Sequence, residues 1–375
     1  MIRSFVAGMV NFYIQKAKNL VNLKQAFLRL SLKSQILFIK QLAILMRAGV
    51  PLVSSLYMLK KQSRSRAMIA ILGQVIQDVE NGQYLATAMG KFKKIFGELT
   101  INIIAVGEIS GTLGNNLDHL SLALKKRQAL RRKVIGASIY PILIIVATLG
   151  ITVMLTVFIF PKIVPVFLSI HYDLPWTTKF LIFLSNAARD YGIFIIIGII
   201  AGIIAFFLLL RVKKIRYHFD EIIGRIPFIK NIVQMYNTAN ICRTLGLLLH
   251  SGTTVVRAFH ITSNTTTNLA YKKSLDGIAE KVTKGEIISA NVAKYPALFP
   301  LAVSQMIEVG ESTGKLSETF SYLADIHEEE IDDLTRNLST TIEPILLIFM
   351  GIFVGFIAIS IITPIYGIAQ HLTPK

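Results

Sequence analysis

The sequence predicts an all-α protein: two homologous helical-bundle domains plus three transmembrane helices. Three observations predict it. Sliding the 375-residue chain by 203 positions brings its landmarks into register: Gly49 onto Gly252, Gly82 onto Gly285, Phe96 onto Phe299, Pro141 onto Pro344 and Pro161 onto Pro364. Glycine and proline constrain backbone geometry, so their coincidence marks two copies of one fold. Within each copy the apolar residues recur at three- and four-residue spacing, the period of an amphipathic helix, and strand signals are nearly absent. Each copy then runs into an apolar stretch close to the ~20 residues that cross a bilayer.

The elements follow in order. Residues 1–32 have no counterpart in the second copy. Phe5, Met9, Phe12, Leu20 and Phe27 stand there among Lys16, Lys18, Lys24 and Arg29. This is a basic amphipathic segment, suited equally to the membrane, a partner or the first bundle. The first bundle is expected over 33–133. Leu37, Phe38, Leu42, Leu45 and Met46 line a helix stopped by Gly49-Val50-Pro51. Leu52, Leu56 and Leu59 continue in a second helix, and Met68, Leu72, Val75, Ile76 and Val79 in a third closed by Asn81-Gly82. A helix over Leu99–Ala105 breaks at Gly107, and Leu113, Leu117, Leu120 and Leu124 line one leading to the membrane. The first span is expected over 134–160, a short loop over 161–179 and the second span over 180–210. The second bundle, 211–341, repeats the order, with Ile241, Leu245, Leu248 and Leu249 before Ser251-Gly252 and Leu316, Phe320 and Leu323 after Gly314. A third span over 342–363 and a tail over 364–375 complete it. Each bundle is expected to hold about five or six helices.

Composition agrees with a few spans and sizeable aqueous parts: 53% of residues are hydrophobic, 17% are charged and the mean hydropathy is +0.57. A single cysteine, Cys242, rules out an internal disulfide. The apolar run Phe5–Val10 ends at Asn11 and is no export signal, which leaves the first bundle in the cytoplasm. Of the net charge of +18, residues 1–133 carry +16 (21 Lys/Arg against 5 Asp/Glu) and residues 211–341 carry +1 (15 against 14). Lys125, Lys126, Arg127, Arg131, Arg132 and Lys133 precede the first span, and Arg211, Lys213, Lys214 and Arg216 follow the second. Positive-inside reasoning then places the N-terminus and both bundles in the cytoplasm, and the 161–179 loop and C-terminus outside. The basic surplus reads first as this topology signal and solvated helix faces, then as attraction to anionic lipid or an acidic partner.

No motif points to catalysis. Gly310-Glu311-Ser312-Thr313-Gly314-Lys315 has three residues between its glycines where a phosphate loop needs four, Leu316 where it needs a hydroxyl, and no preceding strand. Its first-copy counterpart, Gly107-Glu108-Ile109-Ser110-Gly111-Thr112, lacks the lysine altogether. The expected role is structural. Gly107 and Gly310 end a helix, Gly111 and Gly314 allow a tight turn, and Glu108 and Glu311 accept bonds from backbone N–H groups at the start of the helix that follows. Partner contact is the other reading. Gly49 and Gly252 close helices, while Pro141 and Pro344 bend or terminate the backbone where the spans begin. Glu343, directly before Pro344, sits at the mouth of the third span. The seven histidines are scattered with no HExxH and no close pair along the chain, His327 with Glu328–Glu330 reads as a solvated acidic face, and Cys242 as a buried thiol. No metal, cofactor or catalytic group is expected.

The duplicated Leu42–Leu52 and Leu245–Val255 patterns, each with a small residue plus glycine, resemble the GspF/PilC family. So do the Gly-Glu-x-x-Gly-x-Leu elements at 107–113 and 310–316, each leading through a further helix to a proline-bearing membrane helix. The similarity covers about 33–368. It implies a non-enzymatic, homo-oligomeric platform in the bacterial inner membrane, part of a type IV pilus or type II secretion machine. It also implies as partners a cytoplasmic hexameric assembly ATPase, pilin or pseudopilin subunits, other inner-membrane assembly components and the lipid bilayer, with no nucleic acid. Two features depart from common members: the strongly basic first bundle and Tyr172-Asp173-Leu174-Pro175-Trp176 in the external loop. The competing class is a polytopic transporter or permease subunit. Against it, the repeat lies mainly in the aqueous parts, and three spans do not divide between two copies.

Overall fold

The computed structural model describes residues 30–168, 175–212, 215–217, 219–220 and 227–372. Most of the basic N-terminal segment and Tyr172–Leu174 of the external loop lie outside the described residues. Every regular element among the described residues is helical. The first repeat comprises α1 (Leu32–Arg47), α2 (Leu52–Gln62), α3 (Arg66–Glu80), α4 (Leu85–Gly90), α5 (Lys93–Ser110) and the start of α6 (Leu113–Met154). A π-helical stretch, Leu155–Ile159, joins α6 to α7 (Phe160–Leu168), and α8 spans Trp176–Leu209. The second repeat comprises α9 (Pro227–His250), α10 (Val255–Thr265), α11 (Leu269–Thr283), α12 (Ile288–Val292), α13 (Leu301–Ser312) and the start of α14 (Leu316–Leu372).

Local chemistry sets the boundaries. Ser31 caps α1 by accepting from the Ser34 N–H, and Ser65 caps α3 by accepting from Met68. Gly49 (φ 79°) and Gly252 (φ 87°) adopt the left-handed conformation that closes α1 and α9. There the Val50 N–H donates to the Leu45 carbonyl and Thr253 to Leu248, each at 3.0 Å, so carbonyls left free by the helix end are satisfied.

The described residues up to Leu130 pack with Val233–Glu328 as one compact unit, so the two repeats share a single apolar core. Positions 203 apart are buried in pairs: Leu42 and Leu245, Leu56 and Phe259, Leu72 and Leu275, Ile104 and Ile307, Leu120 and Leu323. Burying a residue of this size contributes about 1.5–3 kcal/mol relative to leaving it in water. The duplicated pattern is therefore a duplicated core.

The second unit gathers Arg131–Ile232 with Glu329–Lys375. Two helical runs among the described residues, Leu113–Pro165 and Glu343–Thr363, are long and apolar enough to cross a membrane. The pair Trp176–Ile195 and Ile197–Leu209, bent by 48°, makes a third when taken as one span. Arg189 and Asp190 fall inside α8, a charged pair that the three-span reading passed over. Between α8 and α14 the Thr178 hydroxyl donates to the Ser360 carbonyl at 2.8 Å, and Trp176 and Phe180 flank Phe356. Pro141 and Pro344 do not end their helices: α6 and α14 run on through both. A proline removes one helical hydrogen bond, and long apolar helices tolerate that loss in the interior.

Candidate functional site

The two Gly-Glu elements build the same device in both repeats. Helices α4 and α12 are only six and five residues long and begin after Tyr84 and Ile287, which have no side-chain oxygen placed to cap them. Their first N–H groups need an acceptor from elsewhere. Glu108 supplies it from the last turn of α5: Oε1 accepts from the Leu85 N–H at 2.6 Å and Oε2 from Ala86 at 3.0 Å. Glu311 repeats the pattern from α13, with Ile288 at 2.8 Å and Ser289 at 3.2 Å, and takes a third bond from the Ser289 hydroxyl at 3.2 Å. A carboxylate at a helix N-terminus satisfies the orphan donors and complements the helix dipole. The carboxylates therefore cap a helix lying 23 residues upstream, whereas the sequence spacing had suggested the helix that follows.

The glycines beside them serve a second purpose. Gly107 and Gly310 do not end helices, since α5 runs on to Ser110 and α13 to Ser312. They allow close approach instead. A methyl group at Gly107 would lie 2.9 Å from the Leu113 Cα, and one at Gly310 would lie 2.8 Å from the Thr319 Cβ. The turns themselves fall to Gly111 (φ 73°) and Gly314 (φ 69°), both left-handed. Each repeat thus locks a long helix against the helix that carries its capping carboxylate.

Contacts between the repeats join residues far apart in sequence. Asp325 Oδ1 accepts from Lys126 Nζ and from Arg243 Nη2, each at 2.6 Å, and Arg243 also reaches Glu328 at 2.8 Å. Burial opposes the charge on Asp325, but the hydrogen bonds from Arg243 and Lys126 outweigh it and hold the carboxyl below its usual range. His119 and His250, 131 positions apart, meet with their Nε2 atoms 3.2 Å from each other. Burial, then the neighbouring His250, lowers the His119 pKa. Sequence spacing gave no sign of this pair. Cys242 is buried, and burial pushes its thiol up to about 12, which makes it inert. Glu343 and Pro344 are both exposed on α14. Among the described residues no group of three or more His, Cys, Asp or Glu could hold a metal.

A twice-built, carboxylate-capped helical module carried on apolar helices defines a duplicated structural protein of the membrane. The family described as type II secretion system (T2SS), protein F matches residues 38–161 and again 241–364. The chain is 33% identical over 342 residues to the type IV pilus assembly protein PilC of Thermus thermophilus, covering 91% of this chain and 84% of that one. It is 31% identical over 337 residues to PilC of Pseudomonas aeruginosa (89% of each chain), and 30% identical over 341 residues to that organism's type II secretion system protein F (91% and 84%). The chain belongs to the type II secretion system protein F family, whose members are non-enzymatic platform components of the inner membrane.

Proposed function

We propose that this chain passes the movement of a separate cytoplasmic assembly ATPase to pilin or pseudopilin subunits at the membrane, as one copy within a homo-oligomeric platform. One observation carries the reading. In each repeat a single helix, α6 or α14, starts at the glycine turn beside the capping carboxylate and continues without a break into the apolar stretch. A rigid helix can transmit displacement along its length. The basic clusters at Lys125–Lys133 and Arg211–Arg216 favour a cytoplasmic N-terminus, both bundles (33–133 and 211–341) on that side, and the C-terminus in the periplasm. In this arrangement 134–160, 180–210 and 342–363 are the spans. Gly49, Gly107, Glu108, Gly111, Gly252, Gly310, Glu311 and Gly314 keep the modules stiff, and Pro141, Glu343 and Pro344 mark where the long helices meet the bilayer. Two glycines inserted after Leu130 should abolish pilus or secretion output while leaving the ATPase bound. Undiminished output, or intrinsic ATP turnover by the purified chain, would refute the reading.

A further inference from the structure

Between the start of α5, α6 and the end of α10 lies a groove of about 930 Å³. Ile95, Leu99 and Leu124 give it an apolar wall, and Asn264 closes its far side. The groove opens where α5 is kinked at Gly97 (φ 82°, ψ 162°), a conformation that favours glycine.

Its charge is the informative part. Two lining cations are occupied: Lys91 bonds both oxygens of Asp78 at 2.7 Å, and Lys93 meets Glu98 at 3.0 Å. Lys94 and Arg127 also line the groove and have no carboxylate partner among the described residues. The second repeat indicates whether the fold needs them. It keeps the apolar positions of the kink as Leu298 and Phe299, but has Ala297 where Lys94 stands and Glu330 where Arg127 stands. The module therefore folds without these cations, and the first repeat alone sets a positive pair beside an apolar wall.

We propose that this groove docks an acidic amphipathic helix of a partner protein, its apolar face on the part-exposed Ile95 and its carboxylates on Lys94 and Arg127. Charge selects the occupant. The chain's own residues 1–29 carry five Lys/Arg and no acidic residue, so they cannot supply the carboxylates that Lys94 and Arg127 call for. The inference rests on the platform reading only in taking the partner to be another component of the machine.

The test uses the full-length protein in nanodiscs and a fluorescent Leu/Glu amphipathic peptide, with a Leu/Gln peptide as control. The Leu/Glu peptide should bind, and binding should weaken as salt rises from 50 to 200 mM. Lys94→Glu and Arg127→Glu should each weaken it about tenfold, with thermal stability unchanged, and Ile95→Ala should weaken it at constant charge. Equal binding of the Leu/Gln peptide, or indifference to both charge reversals, overturns the proposal. Displacement of the peptide by phosphatidylglycerol vesicles, but not by phosphatidylcholine vesicles, also overturns it, in favour of a lipid headgroup. ATPase co-purification is read separately. If it persists while the peptide arm fails, the groove proposal falls and the platform reading stands. If the peptide arm succeeds and no ATPase co-purifies, the groove stands and the platform reading falls.

Discussion

Replacing Glu311 by alanine removes three hydrogen bonds at once and leaves the start of α12 without an acceptor. The lost partners are the Ile288 and Ser289 N–H groups and the Ser289 hydroxyl, at 2.8–3.2 Å. A hydrogen bond to a charged group contributes about 1.5–3 kcal/mol, and a conventional N-cap about 0.5–2 kcal/mol. Glu311 is half-buried, so water can partly replace it, and the bonds do not add in full. A loss of about 2–3 kcal/mol follows, and about 2 kcal/mol for Glu108→Ala, where two bonds are lost. At roughly 2–4 °C per kcal/mol for a unit of this size, the midpoint should fall by about 4–12 °C. Differential scanning fluorimetry of the detergent-solubilised chain measures it. Glu308→Ala, an exposed change on the same helix, is the control and should stay within about 0.5 kcal/mol of wild type. Glu108→Gln should fall between, because an amide offers one acceptor oxygen for two donors. If Glu311→Ala melts with the Glu308→Ala control, the capping argument is wrong.

Three further outcomes follow from the same structure. Gly310→Ala should destabilise by at least about 2 kcal/mol and be partly rescued by Thr319→Gly, whereas Gly107→Ala meets the Leu113 backbone and should resist rescue by trimming Asn116; both are read as melting midpoints. Because His119 titrates lower in the folded chain than its unfolded value near 6.5, the unfolded state takes up the proton first. Its contribution is therefore complete above about pH 6.5 and lost as pH falls below that, and His119→Gln should flatten the melting midpoint over this window. Cys242, buried and raised to about 12, should resist maleimide at pH 7 in the native chain and react fully in denaturant; rapid native labelling would contradict its burial.

The fold was legible because its strongest signals are local. Gly49 and Gly252 must turn left-handed wherever their helices end, and the apolar periodicity named Leu42, Leu120, Leu245 and Leu323 as core. The long spans announce themselves by length and hydropathy alone. What the residues around Gly107 and Gly310 do was less legible. A glycine late in a helix reads as a terminator, and only the packing of α6 on α5 and of α14 on α13 makes it a point of close approach. Glu108 and Glu311 accept backbone N–H groups, but which helix they cap depends on how α4 folds back on α5. A usable signal existed: Tyr84 and Ile287 open helices with no capping oxygen of their own, so each needed an acceptor from outside. The His119–His250 contact and the Lys126–Asp325–Arg243 cluster join separate repeats, and no periodicity reports such pairings.

The proposed topology puts both copies of the capped module on the cytoplasmic side of one membrane, joined to the helices that cross it. Single cysteines at Asn81 and Lys284, exposed positions 203 apart that close α3 and α11, test it in cells. A membrane-impermeant maleimide should leave both unlabelled in intact spheroplasts and label both in inverted membrane vesicles. Labelling of either site in intact spheroplasts would put one repeat across the bilayer and contradict the account.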